Sequence, residues 1–313
     1  MVCQRVTIKV AADPGAPQDL ALTGTLCQPG LIQPTTVQLL VHGATYNQAV
    51  WDWPHEPDTY SYVRDAVTSG YATFAVDRIG HGGSDKPPSA TVTIAAAATA
   101  LHDVVGKLRA GEIGGRPFSR VVWVGHSLGA VIGYEYGGRF TDVDAYALTG
   151  SIHFMKPSWI GLIMSSLQPA GGPDPGYLTT IPGSRSALFY YPPNADPAVV
   201  QVDEKLKDTV TGTEVETGLP LVSIPPEQSP TRNIRVPVLV AMGDHDNLAC
   251  DGPDGLTCTV AEIARVERPY FPNVRLFSAL VVAGSGHALS QHRTAPAAHA
   301  GVIGWIRGVA PPF

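Results

Sequence analysis

Five residues, Gly125-His126-Ser127-Leu128-Gly129, constrain the fold of this chain more than any other feature. They join an apolar β-branched run ending at Val124 to a helix-compatible segment starting at Leu128. A serine on so sharp a strand-to-helix turn sits on strained backbone that approaches neighbouring chain closely, so it needs small flanking residues. Gly125 and Gly129 supply them. The same alternation extends through the rest of the chain. Val37–Val41, Ala72–Val76, Arg120–Val124, Ala145–Leu148, Val236–Ala241 and Ser278–Val282 read as strands buried on both faces, because polar residues hardly interrupt them. Thr59–Ser69, Val92–Ala110, Leu128–Gly138, Thr259–Arg268 and Arg293–Gly308 read as the helices between them. The pattern predicts an α/β fold: a mostly parallel sheet with helices on both faces.

From Ser151 to about Asn233 the alternation stops, Pro and Gly recur, and no convincing strand is visible. This stretch is expected to be an inserted lid (151–233) on a core made of residues 1–150 and 234–313. Within it Phe154, Met155 and Trp159 offer apolar surface near a site, although any one of them can equally serve only to pack the lid onto the body. The chain has 313 residues and is 44% hydrophobic, enough for one catalytic domain with its own core. Its net charge of −6 arises from only 15% charged residues, which leaves no basic face for nucleic acid or an anionic membrane. A small, largely uncharged molecule is the expected partner. No apolar run reaches the roughly 18 to 20 residues of a membrane span. The N-terminal residues Met1 to Val6 carry neither the basic start nor the apolar block of a signal peptide, so an export signal has been removed or was never present.

The four cysteines fall into two pairs. If Val2–Val10 and Leu20–Cys27 form an antiparallel hairpin about Asp13-Pro14-Gly15-Ala16, partners have numbers adding to about 30, which sets Cys3 opposite Cys27. Cys250 and Cys258 flank a short Gly, Pro and Asp loop that a bridge would close. Two disulfides imply an oxidising compartment, whereas four buried thiols would not. The spacing suits no zinc site, and neither a metal nor a cofactor is expected.

Ser127 is the candidate nucleophile, and a hydroxyl needs a positioned imidazole to take its proton. His287, in Gly284-Ser285-Gly286-His287-Ala288 directly after the last predicted strand, is placed to bring its ring over the sheet's carboxyl edge. His126 is expected to pack or hydrogen-bond beside the nucleophile, and His102, His292 and His299 to be surface or packing residues on helices. The imidazole needs a carboxylate in turn, and Asp244 and Asp246 both follow the strand after the lid. An oxyanion would require two backbone donors: the amide of Leu128, next to the nucleophile, and the amide of Ala44 in Val41-His42-Gly43-Ala44. His42 is expected to anchor that loop, with Tyr46 and Trp51 at the pocket mouth. The loop Asp77-Arg78-Ile79-Gly80-His81-Gly82-Gly83-Ser84 is Gly-rich, but without a following Lys-Ser/Thr it is no phosphate cradle.

With VHGA, DRIGHGGSD, GHSLG, GDHD and GSGH in this order, the chain resembles the α/β-hydrolase superfamily over nearly its full length. The resemblance implies a Ser127, Asp246, His287 triad in that chain order, Asp246 being favoured over Asp244 because the third residue after the Gly243 turn usually points back to the histidine in this fold. VHGATYNQAVWDWP together with two disulfides is similar to exported actinobacterial lipase- and esterase-like members, which implies an extracellular address. Serine at the turn speaks against the dehalogenase and epoxide-hydrolase relatives, which use aspartate there. Family membership selects no substrate. Hydrolysis of a carboxylic ester, lactone or thioester through an acyl-enzyme is the expected reaction, on an apolar, largely uncharged substrate. Acyl transfer to an alcohol by the same groups, or a non-catalytic receptor on this fold, are the other two readings.

Overall fold

The computed structural model describes residues 1–31 and 33–313. The chain opens with the antiparallel hairpin β1 (Val2–Val10) and β2 (Leu20–Gln28), in which Cys3 pairs with Cys27 and the two are joined by a disulfide. Strands β3 (Thr36–Val41), β4 (Ala72–Val76), β5 (Arg120–His126) and β6 (Ala145–Thr149) follow, each buried almost throughout. Their continuous apolar runs make sense because helices cover both faces. On the connections lie α1 (Pro57–Tyr60), α2 (Tyr62–Thr68), α3 (Ile94–Ala110) and α4 (Leu128–Arg139). The expected helix Thr59–Ser69 is two helices, because Ser61 is extended and caps α2 by accepting from the Arg64 amide. Helix α3 starts two residues later than expected, with Thr93 as its cap.

The segment between β6 and the next strand of the main sheet carries α5 (Pro157–Ser165), β7 (Leu167–Pro169), β8 (Tyr177–Thr180), α6 (Arg185–Phe189), α7 (Pro197–Leu206), β9 (Val210–Thr211) and α8 (Gly212–Gly218). The expectation of no strand here fails in one respect: β7, β8 and β9 form a small antiparallel sheet. Strands of two to four residues are too short to show a periodicity of two.

Strands β10 (Val238–Gly243) and β11 (Phe277–Val282) complete the main sheet, with α9 (Val260–Glu267) between them and α10 (Ala295–Val309) after them. The order is β1-β2-β4-β3-β5-β6-β10-β11, parallel from β4 to β11. The order reverses beside β3, and ligands bind such sheets outside the carboxyl ends of strands near that point. Ser127, the loop after β3 and the loops after β10 and β11 all lie at this edge. Among the described residues, no helix is long and apolar enough to cross a membrane.

Candidate active site

Ser127 caps α4 with φ 54° and ψ −120°, a conformation that costs a non-glycine residue energy and persists only where its surroundings hold it. Its amide donates to the Thr149 carbonyl at 2.8 Å, and its own carbonyl accepts from Ala130 and Val131. A Cβ at Gly129 would overlap the Val41 carbonyl, and one at Gly125 would overlap Gly129. The turn therefore tolerates only glycine at those two positions. Among the described residues Ser127 Oγ has no hydrogen-bond partner.

His287 follows β11 on a loop that turns at Gly284, where φ is +70°. Its ring is buried, with Nδ1 3.1 and 3.0 Å from the two oxygens of the fully buried Asp246. A carboxylate on Nδ1 fixes the proton there and leaves Nε2 as the free acceptor. Asp244 points elsewhere and accepts from the Ser285 amide at 3.2 Å. The His287 ring packs against Phe189, with centroids 5.6 Å apart, and against His126 at 4.9 Å. Burial, together with neighbouring His287, holds His126 well below the usual histidine range. It is thus neutral at pH 7, and its Nδ1 meets the Thr149 hydroxyl at 3.2 Å.

Two supports of these loops escaped the sequence reading. His292 is fully buried; its Nε2 accepts from the amides of Gly286 (3.1 Å) and Tyr191 (2.9 Å), and its Nδ1 donates to the Ala288 carbonyl at 2.8 Å. Burial lowers its pKa, which keeps the double acceptor neutral. It shapes the loop that presents His287. Lys156, also buried, donates to Asn247 Oδ1 and to the carbonyls of Cys250 and Asp251 at 2.8 to 3.1 Å. That loop also carries Asp246 and the Cys250–Cys258 disulfide.

Ser127, Ala44 and Leu128 line one cavity, whose other walls are apolar apart from Ser151, with Met155, Trp159, Ile163 and Leu219 prominent. Among the described residues, neither the Ala44 nor the Leu128 amide has a hydrogen-bond partner. Tyr46, Trp51 and Phe154 do not line this cavity. Tyr46 is buried, its ring 4.3 Å from the Arg185 guanidinium. Trp51 packs on Tyr62 and faces a separate internal cavity behind His126. Phe154 is half-buried against the core. An aromatic residue near a motif in sequence turns inward as readily as outward, and spacing alone does not distinguish the two. Among the described residues, no three His, Cys, Asp or Glu side chains are placed to share a metal ion.

The model of the alpha/beta hydrolase family matches residues 38–300, which span every group described above. The chain belongs to this family. Among solved structures, this α/β-hydrolase is similar in fold to a carboxyl esterase from Bacillus coagulans (TM-score 0.65, 15% identity, 99% of each chain covered). It is also similar to an esterase from Thermogutta terrifontis (TM-score 0.64, 16% identity, 98% of this chain and 99% of that one). A monoacylglycerol lipase from Paleococcus ferrophilus is a third (TM-score 0.62, 16% identity, 92% of this chain and 99% of that one). Uncharacterized proteins of Mycobacterium tuberculosis and Mycobacterium bovis are 30% identical over 105 residues, 34% of this chain and 26% of theirs. The match thus spans about a quarter of the length of these curated relatives.

This α/β-hydrolase also buries charge against the loop that carries Ala44. Arg78, in the Gly-rich loop after β4, pairs with Glu214 of α8, and His81 Nε2 lies 3.0 Å from the same carboxylate. All three side chains are fully buried. Burial opposes ionisation of Glu214, but Arg78 and His81 outweigh it and hold the carboxyl well below the usual range. Arg185 of α6 pairs with Asp203 of α7, with NH2 and Nε each 2.8 Å from a carboxylate oxygen.

Proposed function

We propose that the protein is a serine hydrolase that cleaves a carboxylic ester, or a related lactone or thioester, of an apolar and largely uncharged substrate. The observation that carries this reading is the buried contact of His287 Nδ1 with both oxygens of Asp246, on the same sheet edge as the strained Ser127. In the proposed reaction Ser127 Oγ attacks the acyl carbon as His287 Nε2 takes its proton. Asp246 stabilises the imidazolium, and the amides of Ala44 and Leu128 receive the developing oxyanion. His287 then protonates the leaving alkoxide, and water admitted to the same position releases the acid. The apolar cavity with Met155 and Trp159 in its wall supports an uncharged acyl or aromatic group. Residues 151–233 serve as the lid over it, on a core of residues 1–150 and 234–313. Esterases and a lipase are among the proteins with the same fold, in agreement with this chemistry. The two disulfides support an oxidising, extracellular setting.

The test is intact-protein mass spectrometry after reaction with a fluorophosphonate, with peptide mapping and a series of p-nitrophenyl esters alongside. The expected result is one adduct on Ser127, ester turnover, and loss of both in Ser127→Ala. Folded protein without an adduct and without turnover would overturn the mechanism.

A further inference from the structure

The loop expected to supply an oxyanion donor is held at consecutive peptide units, and most of the groups holding it come from one stretch of chain between β6 and β10. The Gly43 carbonyl accepts from His42 Nδ1 at 2.9 Å and from Arg78 NH2 at 3.3 Å. His42 Nε2 accepts from the Arg78 amide at 3.1 Å, so the ring is neutral and its one proton is committed to Gly43. Burial, then the Arg78 charge, keep it so by lowering the His42 pKa. A trans peptide sets its N–H opposite its C=O, and this chain has no cis bond among its described residues. Fixing the Gly43 oxygen toward Arg78 therefore fixes the Ala44 N–H on the other side, where Ala44 borders the cavity with Ser127. A Cβ on Gly43 would lie 2.9 Å from Ser127 Cβ, so donor loop and nucleophile are in contact.

The next residue, Thr45, is a non-glycine with φ +59°. Its amide donates to the Thr209 carbonyl (3.1 Å), and its carbonyl accepts from the Asp208 amide (2.9 Å). Arg185 NH1 donates to its hydroxyl at 3.0 Å. Thus Arg78 backed by Glu214, and Arg185 backed by Asp203, converge on residues 43–45, with Thr209 between them. The Glu214 carboxylate also accepts from the Thr211 amide and closes a capping box at the start of α8.

We propose that Arg78, Glu214, Arg185 and Asp203 are positioning residues for the oxyanion hole: the chain from Arg185 to Glu214 is a fixed part of the catalytic apparatus. This rests on the ester-hydrolase reading for its consequence in turnover. A donor displaced by about 1 Å lowers rate on the order of a hundredfold. Glu214→Gln and Asp203→Asn are therefore expected to lower kcat per labelled Ser127 by about ten- to a hundredfold, with KM little changed and the pH profile of kcat unmoved. In the same variants, hydrogen exchange of the peptide spanning 43–46 is expected to quicken. Glu267→Gln breaks another buried pair, with His153, and makes no hydrogen bond to residues 42–45. It is expected to leave kcat per labelled site and exchange at 43–46 as in the unsubstituted protein. If Glu214→Gln does not fold, Arg78→Lys, which keeps the charge but loses the fork, takes its place. Unaltered exchange at 43–46, or unaltered kcat per labelled site, overturns the proposal. Absence of labelling and turnover in the unsubstituted protein overturns the hydrolase reading, while exchange still decides whether the clamp holds the loop.

Discussion

Helix α5 and the chain from Arg185 to Glu214 belong to the same segment between β6 and β10, yet they meet the rest of the molecule through different chemistry. In α5 only Trp159 is buried; Ile160, Leu162 and Ile163 are half-buried, and Met164 is 49% exposed. The helix holds no acid and no histidine, and its apolar side forms a wall of the cavity. The chain from Arg185 to Glu214 is held by two fully buried ion pairs and by backbone hydrogen bonds to Thr45. Apolar contact is non-directional and tolerates sliding, whereas buried charge demands its partner at one position. One part of the segment is thus free to yield, and the other is held still.

The largest expected effect tests the rigid part. Asp203→Ala leaves the Arg185 guanidinium buried without its carboxylate, and removes the acceptor of the Tyr190 hydroxyl at 3.0 Å. Loss of one partner from a buried pair costs about 3 to 5 kcal/mol. Urea unfolding is expected to show a loss of that size; a shift below about 1 kcal/mol would mean that the clamp region is far softer than its contacts imply. Smaller is the effect of removing the Cys250–Cys258 bridge, which lies where Lys156 and the Ser158 amide tie the start of α5 to the loop of Asp246. A loop this short contributes about 2 to 3 kcal/mol in the chain-entropy account. The double Cys→Ala variant is expected to lose that much and to quicken exchange in 156–166 more than in 185–214.

Acid tests the fixed part as well. Glu214 has its pKa lowered in the fold, so its contribution is present above the unfolded value of 4.5 and is lost as pH falls below it. His42, His126 and His292 have lowered values too, so their contribution is present above 6.5 and declines as pH falls through 6.5, where the unfolded chain takes up protons and the fold does not. Stability is expected to decline gently below pH 6.5 and more steeply below about 4.5. In Glu214→Gln the second, steeper part should shrink; an unchanged acid limb would mean that the Arg78–Glu214 pair contributes little to holding the fold.

How much of this was legible beforehand follows the range of the interaction. The β1–β2 register could be read because an antiparallel pair obeys one sum, and Cys3 met Cys27 as that sum required. The parallel strands showed as apolar runs for the same local reason, as did the strand-to-helix turn at Ser127. Asp246 meets His287 and Asp244 meets the Ser285 amide, while the role of triad acid that the family resemblance gave Asp246 belongs to the proposed reaction. Arg78 and Glu214 stand 136 residues apart, and nothing in their local spacing marks them as partners. His292, on a histidine-rich run after the last strand, gave no local sign that its ring nitrogens would bind three backbone groups. Tyr46 and Trp51, expected at the pocket mouth, are buried instead, Tyr46 against Arg185 and Trp51 against Tyr62, contacts with residues far along the chain that local spacing does not mark.

The smallest effect on stability, and the sharpest on the comparison, comes from Met164. It is half exposed and yet lines the cavity, so its side chain shares little of the folded core. Met164→Ser is expected to change stability by no more than about 0.5 kcal/mol. Its effect belongs to the substrate: a methylene or two of lost apolar contact is worth about 1 to 3 kcal/mol in discrimination between acyl chains. The ratio of kcat/KM for a long over a short p-nitrophenyl ester should therefore fall, with kcat for the short ester unchanged. Equal losses on both esters would show that α5 positions the reacting groups as the Arg185–Glu214 chain is argued to do, and the division of the segment into a yielding wall and a fixed clamp would have to be abandoned.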